Sequence, residues 1–343
     1  MRRITCTGCS LLCDDVILEG DETGKESIGQ IIGACLKGKE RFDWRTHENR
    51  ILHPLVRKAG KLRKVSWNEA MEKTVNILKR GRPLFYGFSN CTCEAQSKGI
   101  ELAQKLNGFI DSNSSICQGK VLKAGNKKPL TLTTISEIIN KADVLVFWGA
   151  NPAESIPRLL NKVLFSRGKF RMTGREIKTV IVVDPIKTST FNVMGPRDIA
   201  IKLEINKDID LIRLFKDKCC TDQEIPKEGV AGIDKDDLNR FLLNMSDSEN
   251  VVLFTGQGVL SPKADSNLIE ELFDMIELVN QKQEKGRVSL VMMGGHFNMV
   301  GFDQVSLSTA GKVGGLKFEE GQLSGGDDTI ITALEKGSFN SSF

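Results

Sequence analysis

Histidine and tyrosine are nearly missing from these 343 residues: there are three histidines, His47, His53 and His296, and one tyrosine. A histidine-built zinc or binuclear centre is therefore not expected, since such centres gather several imidazoles. Long apolar runs are missing too. No stretch approaches the roughly 20 apolar residues that span a bilayer. The opening Met1-Arg2-Arg3-Ile4-Thr5-Cys6 has no apolar core of a secretory signal, so a cytoplasmic location is expected. Excess charge of one sign is small: 48 Lys and Arg against 44 Asp and Glu, net +4, in mixed runs. A nucleic-acid footprint is not indicated. No Gly-x-Gly-x-x-Gly follows the first strand, which counts against a nicotinamide dinucleotide.

Cysteine, by contrast, is plentiful. Nine occur, an odd number in a chain without an export signal, which argues against a disulfide framework. Cys6, Cys9 and Cys13 follow a C-x2-C-x3-C spacing, with Cys35 farther on. Four thiolates so spaced suit a [4Fe–4S] cluster, each iron taking one soft anionic ligand. Zinc is the rival reading, although structural zinc sites usually pair their cysteines closely two by two. Unligated core cysteines are the third. Cys117 stands alone; taken by itself, such a residue is most often a small buried hydrophobe. The same reading, without a role, applies to the pairs Cys91/Cys93 and Cys219/Cys220.

A strand–helix alternation begins after His53-Pro54. Ser66 and Glu69 stand as N-cap and capping-box partner for a helix over Trp67–Leu78. Pro83–Gly87 reads as a short buried strand, Glu94–Leu106 as a helix, and Cys117 falls in a polar loop after the next strand. Asp143–Trp148 and Thr179–Asp184 are continuous apolar runs, as parallel strands covered on both faces are. A helix is expected over about 157–165, a strand near Ile201–Ile205 and a helix over Asp208–Lys216. Val251–Phe254 and Ser289–Met293 are further strands. The pattern predicts doubly wound, Rossmann-like α/β domains behind a small iron-sulfur head. The expected division is a head over 1–50, a discontinuous domain over 51–118 plus 246–343, and an inserted domain over 119–245. Ligands of such sheets bind past the carboxyl ends of strands.

Cys6-Thr-Gly-Cys9-Ser-Leu-Leu-Cys13-Asp-Asp-Val16 followed by Ala34-Cys35-Leu36-Lys37-Gly38 resembles the start of the catalytic, pterin-binding subunit of formylmethanofuran dehydrogenase. That family belongs to the wider molybdopterin oxidoreductases, formate dehydrogenases among them. The resemblance implies a lysine between cluster and pterin, and Lys37 holds that position; its alternative is a solvated lysine beside Lys39 and Arg41. It also implies that Cys117 ligates tungsten or molybdenum, where a soft thiolate suits a metal already held by dithiolenes. Many members have histidine after this cysteine. Here Gln118 stands there, and glutamine orients by hydrogen bonds without titrating. Members often carry an arginine before the Gly-His of the later loop. Gly294-Gly295-His296-Phe297-Asn298 lacks it, which leaves proton handling to His296; the alternative is a histidine that only packs or bonds the pterin.

Two molybdopterin guanine dinucleotides are implied across the mouths of the α/β domains. The matching loops offer Gly149 and Asn151, Asp184, Lys187 and Thr188, Gly256 and Gly258, and Gly295 with Asn298. Glycines would let backbone amides approach phosphates, and Asp184 would accept from guanine.

The resemblance runs from Cys6 to about Leu334, where relatives continue with another strand–helix unit. The chain therefore reads as C-terminally shortened. The implied activity is a formylmethanofuran dehydrogenase-type oxidoreduction in methanogenesis, the two-electron reduction of CO2 to formate and its reverse. The implied partners are an amidohydrolase-like subunit, a small pterin-cradle subunit and ferredoxin-like subunits for electron transport. The alternative is a truncated, non-catalytic electron-transfer or scaffold paralogue. Replacing Cys9 with serine should abolish the EPR signal of the reduced cluster; an unchanged signal removes the cysteine head from the assignment.

Overall fold

Runs of Val, Ile, Phe and Leu without polar interruption bury both faces of a strand, and the architecture follows from where they pair. The computed structural model describes residues 1–20, 30–125, 127–170, 174–221, 224–260, 267–284, 286–325, 329–337, 339 and 341–342. The chain divides into two units, one of Met1–Gly119 with His296–Phe343 and one of Lys120–Gly295.

The first unit opens with a three-stranded antiparallel sheet, β1 (Arg2–Ile4), β2 (Val16–Leu18) and β3 (Ile31–Ile32), followed by helix α1 (Leu36–Asp43). A hairpin of β4 (Leu55–Lys58) and β5 (Lys61–Lys64) leads into α2 (Trp67–Leu78). The Ser66 hydroxyl caps α2 by accepting from Glu69 N–H at 3.2 Å. Then come β6 (Pro83–Gly87), α3 (Cys93–Lys105) and β7 (Phe109–Ser112), with Thr92 capping α3.

The second unit contains α4 (Gly119–Gly125), α5 (Ile135–Lys141), β8 (Val144–Trp148), α6 (Pro152–Ser155) and α7 (Arg158–Leu160). It continues with β9 (Thr179–Val183), β10 (Ile199–Ile201), α8 (Asp208–Cys220), α9 (Lys235–Asp247), β11 (Asn250–Thr255), α10 (Leu268–Lys282) and β12 (Arg287–Met292). Its five strands are all parallel, in the order β10-β9-β8-β11-β12. That is a doubly wound sheet whose order reverses between β8 and β11, the place where such sheets open a ligand crevice. Phe147 and Phe254 stack across this pair at 4.9 Å.

After its return the chain adds α11 (Met299–Ala310), β13 (Leu316–Glu319), β14 (Gln322–Ser324), α12 (Ile330–Glu335) and β15 (Ser341–Ser342) to the first unit. The sheet order there is β14-β13-β7-β6-β15. It is mixed: β6 pairs β7 and β15 in parallel, while β13 runs antiparallel to β7 and β14.

The return point differs from expectation. Strands 250–255 and 287–292 do not join 83–87; they extend the second unit's sheet, and the chain comes back at His296 rather than 246. β11 resembles β6 in form, but its register against β8, from Val251↔Val144 to Thr255↔Trp148, makes it an inner strand. An apolar run specifies burial and not which sheet provides it. The helix expected over 157–165 is split, one α turn at Arg158–Leu160 passing into a π turn over Asn161–Phe165. The buried Lys178 ammonium donates to Val163 O at 2.7 Å, satisfying a carbonyl of that π turn.

At the β8–β11 crossing two loops touch backbone to backbone. A Cβ on Gly256 would lie 2.2 Å from Gly149 O, and one on Gly258 2.7 Å from Gly149 Cα. Gly149 itself has φ +54°. Substituting alanine at Gly256 should therefore destabilise the second unit by ~1–3 kcal/mol, read as a lower urea midpoint of the buried Trp148 fluorescence. Gly295→Ala is the control, since a Cβ there meets nothing within 4 Å.

Candidate functional site

In the head, short-range bonds curl the chain around its thiols. Cys6 N–H donates to Cys13 O at 2.8 Å, and Leu12 N–H donates to Cys9 O at 3.4 Å with Leu12 in the left-handed region, φ 48°. Gly8 N–H points at Cys6 Sγ, 3.4 Å away. Cys6, Cys9 and Cys13 are buried and Cys35, which precedes α1, is half-buried. A Cβ on Gly38 would lie 2.9 Å from Cys6 Sγ, so glycine makes room for that sulfur. Burial pushes the Cys9 thiol up; Leu11 N–H opposes this, Cys35 and Cys6 add to it, and Lys37 pulls it down. Cys6, Cys9, Cys35 and Lys37 thus share one neighbourhood, with Cys13 packed against Cys6. The donor set is sulfur alone, with a cation beside it, which fits an iron-sulfur cluster. Among the described residues no three His, Cys, Asp or Glu stand as ligands of a single ion.

Elsewhere in the same unit, Cys117 ends a 3-10 turn, Asn113–Ile116, that follows the carboxyl end of β7. Its N–H donates to Ser114 O at 2.8 Å. The turn rests on two buried carboxylates that the motif reading missed, Asp111 and Asp303. Asp111 accepts from Ser112 N–H at 2.8 Å, Ser115 Oγ at 2.7 Å and Ile330 N–H at 2.7 Å. Asp303 Oδ1 accepts from Ser114 Oγ at 2.5 Å. Burial raises both acids against those hydrogen bonds, Asp111 to about 6 and Asp303, which also feels Asp111, to about 7. The polar residue inside Phe109-Ile-Asp111 was the available signal for the first; nothing local marked the second.

Gln118 is buried beside Cys117, and His296 is half-buried just before α11. Asn298, the N-cap residue of α11, is turned inward: its Nδ2 donates to Cys91 O at 2.8 Å and lies 3.6 Å from Cys93 Sγ. Cys93 and Cys220 are exposed, which corrects the expectation of small buried residues. They occupy the first position of α3 and the last of α8, where helix ends meet solvent. Cys91 and Cys219 are half-buried.

In the second unit, the expected loop residues cluster at the carboxyl ends of β8, β9 and β11, but the glycines act differently from expectation. Gly149 N–H donates to Val183 O, Gly256 N–H to Trp148 O and Gly258 N–H to Gly149 O, at 2.9–3.0 Å. These amides are engaged within the protein, and the missing side chains serve close packing of two loops. Asn151 Oδ1 accepts from Thr190 Oγ1 at 2.8 Å, bracing the β8 loop against the β9 loop. The groups that remain suited to a ligand are on the β9 loop. Asp184 is buried, accepts from Ile186 N–H at 3.1 Å, and is raised by that burial. Lys187 is exposed, and the buried Thr188 Oγ1 has no hydrogen-bond partner in the protein. A second carboxylate, Asp208, was not foreseen. It accepts from Trp148 Nε1 at 2.7 Å and is raised by burial and, less, by Asp184. Asp208 is thus occupied by Trp148, whereas the desolvated Asp184 and the unanswered Thr188 hydroxyl fit a ligand with N–H donors and polar oxygens. Gly295 is exposed with open space around it.

A model of the molybdopterin oxidoreductase family matches residues 50–338. The chain belongs to that family, and within it to the formylmethanofuran dehydrogenase branch. It is 31% identical to a subunit of the tungsten-containing formylmethanofuran dehydrogenase 2 of Methanocaldococcus jannaschii, over 98% of this chain and 77% of the relative. Against the corresponding subunit of the same name from Methanococcus maripaludis it is 30% identical, over 98% and 76%. The fold matches a chain of the formyltransferase/hydrolase complex of Methylorubrum extorquens, solved with methylofuran, at TM-score 0.64 and 17% identity, covering 84% of this chain and 75% of that one. Family membership makes molybdopterin with its metal the cofactor class and oxidoreduction the reaction class. No helix among the described residues is long and apolar enough to cross a membrane.

Asp303 also gives this family member a pH dependence. Its acid is raised in the fold from 3.8 to about 7. The folded state therefore binds this proton more tightly, and this group's contribution to stability is full below pH 4 and is lost as pH rises towards 7. Asp303→Asn should remove this group's share of the decline, gaining on the order of 4 kcal/mol over the parent above pH 7 and little near pH 4. Urea denaturation across this range checks it.

Proposed function

We propose that this chain is the catalytic subunit of a formylmethanofuran dehydrogenase, reducing CO2 to formate by two electrons and catalysing the reverse. The observation that carries the reading is Cys117. It is a single cysteine on a braced turn at the carboxyl end of a central strand, in a chain that aligns almost throughout with formylmethanofuran dehydrogenase relatives. The Cys117 thiolate is the ligand for tungsten or molybdenum, and the metal with two pterin guanine dinucleotides supplies the two-electron chemistry when bound.

The chain's own residues divide the remaining work. Cys6, Cys9, Cys13 and Cys35 would hold a [4Fe–4S] cluster, which would supply one-electron transfer. Lys37, among those sulfurs, offsets their negative charge and donates towards the pterin. Asp184 accepts from the guanine edge, and Thr188 and Lys187 bind ribose or phosphate oxygens. Gly149, Gly256, Gly258 and Asn151 shape the loops rather than donate. Gln118 orients by hydrogen bonds, and His296 carries the proton that CO2 must gain to become formate. Asn298 sets the loop on which His296 rides, through its bond to Cys91 O. The formate passes to an amidohydrolase-like subunit for condensation with methanofuran, and ferredoxin-like and small cradle subunits complete the assembly. The naming of the relatives and the multisubunit complex containing the matching fold support this placement in one-carbon metabolism.

Metal analysis tests the proposal. Protein purified without oxygen from a host that makes the pterin should carry about four irons and one tungsten or molybdenum per chain. Cys117→Ser should keep the iron, lose the tungsten or molybdenum, and abolish formate-dependent dye reduction. Normal turnover in that variant removes Cys117 from the site. Iron alone in the parent protein replaces the enzyme reading with an electron-transfer or scaffold paralogue.

A further inference from the structure

Asp111 and Asp303 are both removed from water, yet only one has an evident local structural reason. Asp111 divides its oxygens among Ser112, Ser115 and the first amide of α12, tying strand end, turn and helix together. Asp303 is 1% exposed. Its Oδ2 has no hydrogen-bond partner in the protein, and its Oδ1 takes the hydroxyl of Ser114, 189 positions away. Burying a carboxyl for a single bond is costly, so that bond marks what the residue is for.

Ser114 is the pivot of the Cys117 turn. Its carbonyl accepts the Cys117 N–H. Its hydroxyl lies 2.9 Å from Ser112 Oγ, and its own N–H donates to Ser112 Oγ at 3.2 Å. Because the one hydroxyl proton of Ser114 goes to Asp303, Ser112 O–H donates to Ser114 and the direction of the chain is set. Gly119 closes over the same residue so tightly that a Cβ would lie 2.6 Å from Ser114 O. Asp303 grips this pivot from α11.

The start of α11 is gripped as well. Gln96, buried on α3, donates through Nε2 to Asn298 O at 3.0 Å and to Phe88 O at 2.8 Å. Phe88 has φ +55°, rare for an aromatic, and its ring occupies the space where a Cβ on Gly99 would lie 2.4 Å away. Asn298 N–H donates to Ser89 O at 2.9 Å. One helix is thus fastened to the loop after β6 at its start and to the Cys117 turn one turn further on.

We infer that Asp303 is a positioning residue: through Ser114 it sets the Cys117 turn against α11, the helix that begins beside His296, with Gln96 as its counterpart at Asn298. The functional importance of that placement rests on Cys117 being the metal ligand; the placement itself does not.

The test follows Cys117 in the full chain purified without oxygen and without metal loading. The rate of iodoacetamide alkylation at Cys117 is read by peptide mass spectrometry at one pH, with half-buried Cys91 reporting whether the unit is folded. Asp303→Asn keeps an acceptor for Ser114 and should leave the Cys117 rate within about twofold of the parent. Asp303→Leu and Ser114→Ala should each raise it at least about tenfold, the equivalent of losing one buried hydrogen bond, with Cys91 unchanged. A parental Cys117 rate in folded Asp303→Leu overturns the inference, as does an Asn variant that behaves like Leu. If Asp303→Leu unfolds the unit, Ser114→Ala decides, and a parental rate there overturns it. Loss of the proposed metal role, seen as unchanged tungsten or molybdenum in Cys117→Ser, leaves these rates untouched, so the two ideas fail separately.

Discussion

A parallel strand that is apolar on both faces has to be covered on both faces, and much of the second unit depends on that constraint. β8 has no exposed residue from Val144 to Trp148. Its neighbours β9 and β11 are apolar apart from Thr179, Asn250 and Thr255 at their ends, and helices cover the layer they form. Polar chemistry is thereby confined to strand ends. The order reversal between β8 and β11 then brings two loops close enough that only glycine fits at Gly256 and Gly258. Asp184 and Thr188 lie at the end of β9, beside that crossing.

Desolvated carboxylates recur where the fold prepares a site. In the second unit Asp184 and Asp208 are raised chiefly by burial, and in the first Asp111 and Asp303 more strongly. The two pairs differ in what answers them. Asp208 holds Trp148 and Asp111 holds a strand end, a turn and a helix start, so both are structural. Asp184 has one backbone donor, and Asp303 has one hydroxyl. Carboxyl groups with spare acceptor capacity in a water-poor setting are costly to keep, and both belong to or border residues proposed above to hold the cofactor.

Much of this was legible in local sequence. The Trp67–Leu78 helix was read to the residue, because Ser66 capping and the side-chain pattern act within one turn. The β8 and β9 strands announced themselves as apolar runs. The assignment of β11 to the sheet of β6 failed, because strand–aromatic–glycine form is common to both, and pairing is decided by residues more than a hundred positions apart. The loop glycines were correctly placed at strand ends, yet their amides turned out to serve Val183, Trp148 and Gly149 rather than a phosphate.

The sequence by itself determined what is chemically available: four head cysteines at fixed spacing with Lys37, a solitary Cys117, and a strand–helix rhythm with polar loops. Spacing, capping and apolar periodicity are properties of neighbours in the chain, so they survive without a structure. Only the tertiary structure decided which strands share a sheet, where the chain returns to its first unit, and that Asp303 reaches Ser114. Those facts arise from burial and hydrogen bonding between distant segments, and a carboxylate shows whether it is solvated or desolvated only once the chain has closed around it.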